Sequence, residues 1–363
     1  MGRETASALA RWIALADLDV DAPRLVAVCD TNPSILDWYR QVPSVTQLTT
    51  DYREVLGNDG VDALYVAVPH HLHEEIYIAA IDAGKDMLAE KPFGIDLGAC
   101  ERIHRRLEGS DSFVRCSSEF PYYPIVHRAY QIVKEGVGTP IEGRCVFSHS
   151  SDLDPGKAIN WKRQTATCGA IGVMGDLGMH VYHLAFRLGI RPETVFAQLQ
   201  NLVTERPDGK GGIAACDTWD NAWIHTSSTF ADEPADFPFT FATKRIAPGE
   251  MNTWEFELIG TEGGVKVSSK FPKTLWRFER AGKEQRWIQF DVGSQSAFKT
   301  ITGEIFEFGF PDAILQMWAA FAAERSGKLD GRFGCATPDE ALLSHRLFDA
   351  AQHSHLNQVV VRL

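Results

Sequence analysis

Four short stretches combine residue types and spacings that could do chemistry. Glu90-Lys91-Pro92 closes the apolar run Asp86 to Ala89. Pro92 disfavours helical geometry at Lys91, so the ammonium can be presented at a strand end, where it could donate to a substrate hydroxyl and stabilise a developing alkoxide. A solvated lysine beside Glu90 is the other reading of the same residues. Gly175 to His183 carries Asp176 and His180 four apart, which on a helix puts them on one face. The imidazole could then move a proton near neutral pH while the carboxylate orients it or the substrate. Equally, an Asp near a helix start can be a cap, and a helix His a packed or surface residue. Pro69-His70-His71-Leu72-His73 groups three histidines; a metal site would need convergent geometry and a further ligand, so a loop at a cofactor edge is expected and no metal. Asp30 ends the run Arg24 to Cys29 and is followed by Thr31-Asn32-Pro33. An acid there can accept hydrogen bonds from an adenosine ribose and repel a 2′-phosphate, or it can simply open a turn.

The elements that must position these residues are legible as a pattern. From Arg24 to about Ser118, short apolar runs alternate with amphipathic stretches, as in βαβ units around a parallel sheet. Strands are expected at Arg24–Cys29, Ala63–Val68, Asp86–Ala89 and Phe113–Cys116, and helices at Asp51–Leu56, Glu74–Ala83 and Leu97–Leu107. Each strand finishes in polar or proline-containing loop text, and ligands of open α/β sheets bind at those carboxyl ends. Beyond Glu119 a helix at Ile125–Glu135 leads into many β-rich segments: Gly143–Ser148, Phe237–Thr243, Trp254–Ile259, Val265–Ser268, Leu275–Phe278 and Trp287–Phe290. A hairpin turn is expected at Gly260 to Gly264 and a surface loop at Ala231 to Pro238. Strands following strands indicate a mainly antiparallel sheet. Helices at Ile314–Ala323 and Pro338–His353 and the run Val359-Val360-Val361 close the chain. The fold class is therefore α/β, a Rossmann-type parallel domain over residues 1–118 followed by an α+β domain over 119–363 with a large mainly antiparallel sheet.

The beginning departs from this grammar. Met1-Gly2-Arg3-Glu4 runs straight into helical text, with Glu4–Leu15 a plausible first helix. Gly2 stands where the last glycine of a G-x-G-x-x-G turn would, its first two glycines and preceding strand missing; a plain terminal residue is the alternative. The expectation is a start site assigned too far downstream or a shortened chain, with weakened dinucleotide affinity, because that turn supplies N–H groups to a pyrophosphate.

The 363 residues suit two or more domains, and 44% hydrophobic with 23% charged residues suits a soluble globular protein. With 36 Lys and Arg against 48 Asp and Glu, a formal charge of −12 disfavours nucleic acid and anionic membranes as partners. No apolar run approaches a membrane span. Seven cysteines without a C-x-x-C pair argue against disulfides or zinc and for a reducing cytoplasm.

Taken together, Asp30, Val68-Pro69 with His70 and His73, Ala83-Gly84-Lys85 leading to Glu90-Lys91-Pro92, and Gly175-Asp176 with His180 resemble the Gfo/Idh/MocA family of nicotinamide-dependent oxidoreductases over nearly the whole chain. The resemblance implies reversible oxidation of a secondary alcohol on a sugar, cyclitol or related polyol. Lys91 matches the lysine that polarises the hydroxyl, His180 the proton acceptor and Asp176 a substrate holder; Trp161-Lys162 matches a Trp-basic pair near the cleft. Gly2, Asp30, Thr31, Pro69, His70, His73, Glu90, Lys91, Pro92, Trp161 and Lys162 are the expected cofactor contacts. With no arginine after Asp30, NAD is favoured over NADP. The resemblance also implies a homodimer or homotetramer through the second sheet, and a last helix (about 338–355) packed back on the first domain. His70 stands where the family commonly has Asn and His183 where it commonly has Asp. Tyr122, Tyr123, Trp161, Trp219 and Trp223 are candidates to stack on a sugar face. A glycoside hydrolase that retains NAD for transient oxidation, and a non-catalytic binding protein, are the alternatives.

Overall fold

The computed structural model describes residues 1–231 and 233–363, with side chains described outside 232–235. Five short strands form the first layer: β1 (Ala27–Cys29), β2 (Gln47–Thr49), β3 (Ala63–Val66), β4 (Asp86–Ala89) and β5 (Val114–Cys116). β1 pairs with β2, and β3, β4 and β5 pair in that order, all parallel. No strand joins β1 to β3 among the described residues, so the parallel layer consists of two sheets. Met87, Leu88 and Ala89 of β4 are fully buried because helices cover both faces.

The helices of this part are α1 (Gly2–Ala10), α2 (Pro33–Tyr39), α3 (Tyr52–Leu56), α4 (His73–Asp82) and α5 (Leu97–Leu107). Caps set their starts: the Asn32, Asp51 and Asp96 side chains accept from Ser34, Arg53 and Ala99 N–H groups. The first helix stops at Ala10 rather than Leu15 and is followed by one tight turn at Trp12–Ala14.

The second part comprises α6 (Pro124–Glu135), β6 (Pro140–Ser148), α7 (Thr165–Cys168), α8 (Val173–Arg187) and β7 (Ile190–Gln200). There follow β8 (Glu205–Pro207), β9 (Ile213–Ala215), β10 (Asn221–Phe230), β11 (Glu233–Lys244), β12 (Thr253–Gly260), β13 (Gly263–Ser268), β14 (Thr274–Ala281) and β15 (Glu284–Asp291). The chain closes with α9 (Phe310–Arg325), α10 (Pro338–Asn357) and β16 (Val361–Arg362). Nine strands make one sheet in the order β15-β14-β13-β12-β6-β11-β10-β7-β16. Every pairing is antiparallel except β6 with β11. The hairpin expected at Gly260 to Gly264 joins β12 to β13. The loop expected at Ala231 to Pro238 is a correction: β11 begins at Glu233, because its backbone pairs with β10 as far as Glu233–Phe230, and Asp232 lies outside the described residues.

α8 lies on the inner face of this sheet, against β6 and β11, with α10 beside it on β7. Every α8 residue except Arg187 is buried, which is why its text lacks an amphipathic stripe. Gly178 permits the close α8–α10 approach: a Cβ there would stand 2.3 Å from Phe348 Cε1. α10 also packs on α5 and β5 of the first part. Its His345 Nε2 accepts from Gly94 N at 3.2 Å, and a backbone bridge joins Cys116 to Ala336 just ahead of it.

Candidate active site

Lys91 follows β4, and Asp176 lies in the first turn of α8. Lys91 Nζ donates to the Asp176 backbone oxygen at 2.6 Å and to its Oδ1 at 3.2 Å. Lys162 Nζ reaches the two carboxylate oxygens at 2.8 and 3.1 Å, and Arg245 Nη2 lies 3.6 Å from Oδ2. Burial works against the Asp176 charge, but Lys162, Lys91 and Arg245 outweigh it and hold the carboxyl well below its ordinary range. Burial likewise disfavours the Lys91 ammonium, yet Asp176, Glu90 and Glu119 raise it above its ordinary value. The pair is therefore ionised, a carboxylate and an ammonium.

His180 stands one turn further along α8. The rings of Phe120 and Phe147 meet its imidazole edge-on at 5.3 and 5.4 Å, and its backbone oxygen accepts from Trp254 Nε1 at 2.7 Å. Burial, assisted by the Lys91 charge, holds the imidazole well below its ordinary value. The ring is thus neutral at physiological pH and able to accept a proton. Glu119 Oε2 lies 3.6 Å from its Nδ1.

Beside Asp176 opens a cavity of about 210 Å³, whose lining includes His149, Trp161, Lys162 and Arg245. Asn160 caps the turn carrying Trp161 and Lys162 by accepting from Lys162 N at 2.9 Å. The Trp161 ring meets His70 edge-on at 4.7 Å, and His70 Nδ1 contacts Cys168 O at 2.9 Å. Gly169 lets this turn press on the loop after Pro92: a Cβ there would fall 2.2 Å from Ile95 O, and its φ is +88°.

Lys91, Asp176, His180, His70, Trp161 and Lys162 thus come together. His73 is turned inward, its Nδ1 against Pro92 O at 2.7 Å and its Nε2 against Val68 O at 3.0 Å, so it ties together the loops after β3 and β4. Glu90 accepts from the Tyr65 hydroxyl and from Lys91 N. Pro69 opens the turn that carries His70. Asp30 ends β1 and accepts from Asn32 N at 2.8 Å; with exposed Thr31 it forms no hydrogen bond or ion pair to the Lys91 cluster among the described residues. Gly2 begins α1 beside the Tyr39 hydroxyl. His183 is fully buried against the Phe333 ring, 4.0 Å from Glu340, and does not line the cavity. Of the aromatics considered for stacking, Trp161 lines the cavity. Tyr122 and Tyr123 pack inward on Phe333 and Phe308, Trp219 meets His355, and Trp223 lies under Lys244.

Glu119, Arg245 and His149 were not expected at the site. The usable signal for Glu119 is its place after β5, at the same carboxyl edge of the β3-β4-β5 sheet that carries Pro69 and Lys91. No comparable signal marks Arg245, which meets Asp176 only through the pairing that places the end of β11 beside α8.

Residues 2–117 match the profile of an oxidoreductase family with an NAD-binding Rossmann fold, and residues 126–266 match that of the GFO/IDH/MocA C-terminal domain. Levoglucosan dehydrogenase of Pseudarthrobacter phenanthrenivorans is 25% identical over 292 residues, 78% of this chain and 72% of that enzyme. 1,5-Anhydro-D-fructose reductase of Ensifer adhaerens is 27% identical over 269 residues, 72% of this chain and 73% of that one. A solved structure of levoglucosan dehydrogenase in complex with NADH superposes with a TM-score of 0.88 over 100% of this chain and 96% of its own, at 21% identity, which shows a common fold.

Proposed function

The chain belongs to the Gfo/Idh/MocA oxidoreductase family, and from that premise we propose that it oxidises a secondary alcohol of a sugar, cyclitol or related polyol with NAD. The observation that carries this reading is the ionised Lys91–Asp176 pair with neutral His180 one helical turn away.

Each side chain has a distinct task. Lys91 donates to the substrate hydroxyl oxygen and stabilises the negative charge that grows there. His180 takes the hydroxyl proton. Asp176, anchored by Lys162 and Arg245, aims the Lys91 ammonium and offers an acceptor to a second hydroxyl. Phe120 and Phe147 keep water from the imidazole. Bound NAD would supply the acceptor for the hydride of the carbinol carbon.

Asp30 fits the adenosine end of a dinucleotide: it sits at the carboxyl end of β1, forms no ion pair among the described residues, and is followed by no arginine, which favours NAD over NADP. Thr31 and Gly2 are assigned to the same end. Pro69, His70, His73, Glu90, Pro92 and Trp161 are assigned to the nicotinamide end, His73 and Glu90 acting by holding its loops. The names of the two relatives above support a sugar as substrate. Residues 1–118 form the cofactor domain and 119–363 the substrate domain, the last helix returning to the first. The sheet's outer face, with Phe196 and Trp287 about two-fifths exposed, supports a homodimer or homotetramer through it. Seven unpaired cysteines support residence in the cytoplasm.

The test is incubation with NAD and a panel of anhydrosugars, cyclitols and sugar alcohols, read by NADH absorbance. Substrate-dependent NADH that is lost in Lys91→Ala supports the reading. Release of an aglycone from a glycoside without net NADH would replace it with the NAD-retaining hydrolase, and failure to bind NAD would leave a non-catalytic binding protein.

A further inference from the structure

Glu119 is placed as deliberately as the trio already described. It follows β5 through Ser117 and Ser118, both 1% exposed, and Ser117 N donates to Ala89 O at 2.8 Å, pinning this turn beside the one that bears Lys91. Its side chain is 8% exposed, and its Oε2 lies 3.6 Å from His180 Nδ1. That nitrogen is enclosed and has no hydrogen-bond partner among the described residues. An imidazole that takes a proton on Nε2 must already carry one on Nδ1. A buried Nδ1–H requires an acceptor, and the Glu119 carboxylate stands 3.6 Å away. A gap of 3.6 Å is just beyond a hydrogen bond, and such contacts commonly tighten when substrate binds.

Resting on the dehydrogenase reading above, we propose that Glu119 is the positioning residue of His180: its carboxylate fixes the Nδ1–H tautomer and supports the imidazolium formed when Nε2 takes the substrate proton. The proton moves from the alcohol oxygen to Nε2, the Nδ1–H bond stays intact, and no co-reactant beyond NAD is needed.

The titratable groups facing this pair are Glu90, Lys91, Tyr65 and Tyr123 around Glu119, and Lys91, Asp176, Lys162 and His183 around His180. Burial, assisted by Glu90, pushes the Glu119 carboxyl up to about 7. It is therefore a neutral acid below that pH and a carboxylate above it, and the basicity of His180 rises as Glu119 ionises.

The experiment compares the full-length parent with Glu119→Gln and Glu119→Asp, following the His180 imidazole nitrogens by NMR across pH and the pH dependence of kcat with a substrate from the panel. The expected parent shows the Nδ1–H tautomer, a shift in the His180 resonances as Glu119 ionises, and a kcat that climbs over the same range. Glu119→Gln loses the shift and the climb, and its kcat falls about a hundredfold with KM little changed, while Glu119→Asp recovers part of each. Unchanged His180 resonances and an unchanged profile in Glu119→Gln overturn the proposal. The NMR titration needs no turnover, so a parent with the tautomer and the shift but no NADH from any alcohol keeps the Glu119–His180 pair and rejects the dehydrogenase; active enzymes with identical profiles do the reverse.

Discussion

Asp176 and His180 share one face of α8, a single turn apart and both buried, yet they hold opposite relations to charge. Three cations converge on Asp176 and keep it ionised, whereas His180 meets two aromatic edges and stays neutral. One helix thereby presents a fixed anion, which meets Lys91, and a neutral imidazole. The separation follows from neighbours, since identical burial would neutralise both groups.

Removing either reacting group should stop chemistry without unfolding the protein. Lys91→Ala and His180→Ala are each expected to lower kcat about 100- to 10,000-fold, with circular dichroism spectra like the parent's. Near-parental turnover in both would show that other residues do the work.

Asp176→Asn acts differently, because it strands the 1% exposed Arg245 and the Lys91 ammonium without their counter-ion. Breaking a buried pair from one side costs about 3 kcal/mol or more, so a clear fall in Tm should accompany the loss of activity. An unchanged Tm would mean that water compensates these cations.

Stability should decline on the acid side before the ordinary carboxylates titrate. Burial holds His70, His180 and His183 neutral in the folded protein, so their folded pKa values lie below that of an unfolded histidine. Such groups bind more protons when unfolded; their contribution is complete above about pH 6.5 and is lost as pH falls below it. Glu119 has the opposite sign, with stability present below its ordinary 4.5 and lost as pH rises towards about 7. Neither nitrogen of His183 has a hydrogen-bond partner among the described residues, so His183→Leu should flatten the acid decline in a urea-denaturation series. A slope as steep as the parent's would remove His183 from this account.

Gly178→Ala places a methyl group against Phe348 and should cost about 1–3 kcal/mol through overpacking. The check pairs Tm with KM, because a displaced α8 moves Asp176 and His180 together. A Tm equal to the parent's would mean that Phe348 rotates aside freely.

On the proposed reading, Asp30→Ser removes a charged acceptor for ribose hydroxyls and the repulsion of a 2′-phosphate. NAD affinity should fall about tenfold or more and the preference for NAD over NADP should narrow, as read by calorimetry. Equal affinities before and after would leave Asp30 as the opener of its turn.

Much of this was legible in the residues. β4 is apolar on both faces and could be read to the residue, and its carboxyl end delivered Lys91. Asp176 and His180 were visible through their spacing. β7 and β10 were not: β10 is rich in Ser, Thr and His because one of its faces is left open, and β7 carries Pro192 near its start. α2 is a single capped segment too short for periodicity. Glu119 escaped because its meaning depends on Phe120, Phe147 and His180, which the chain brings together only after the second sheet forms. His73 also holds the loops after β3 and β4 together, a role that spacing alone does not carry.

The most direct test of the central claim follows the hydride itself. The protein is incubated with NAD and with sugars and polyols carrying deuterium at the secondary carbinol carbon, and the recovered NADH is examined by mass spectrometry. The account predicts deuterated NADH from the parent and almost none from Lys91→Ala or His180→Ala. Bound NAD that never acquires deuterium from any alcohol, or equal transfer in parent and variants, would contradict it.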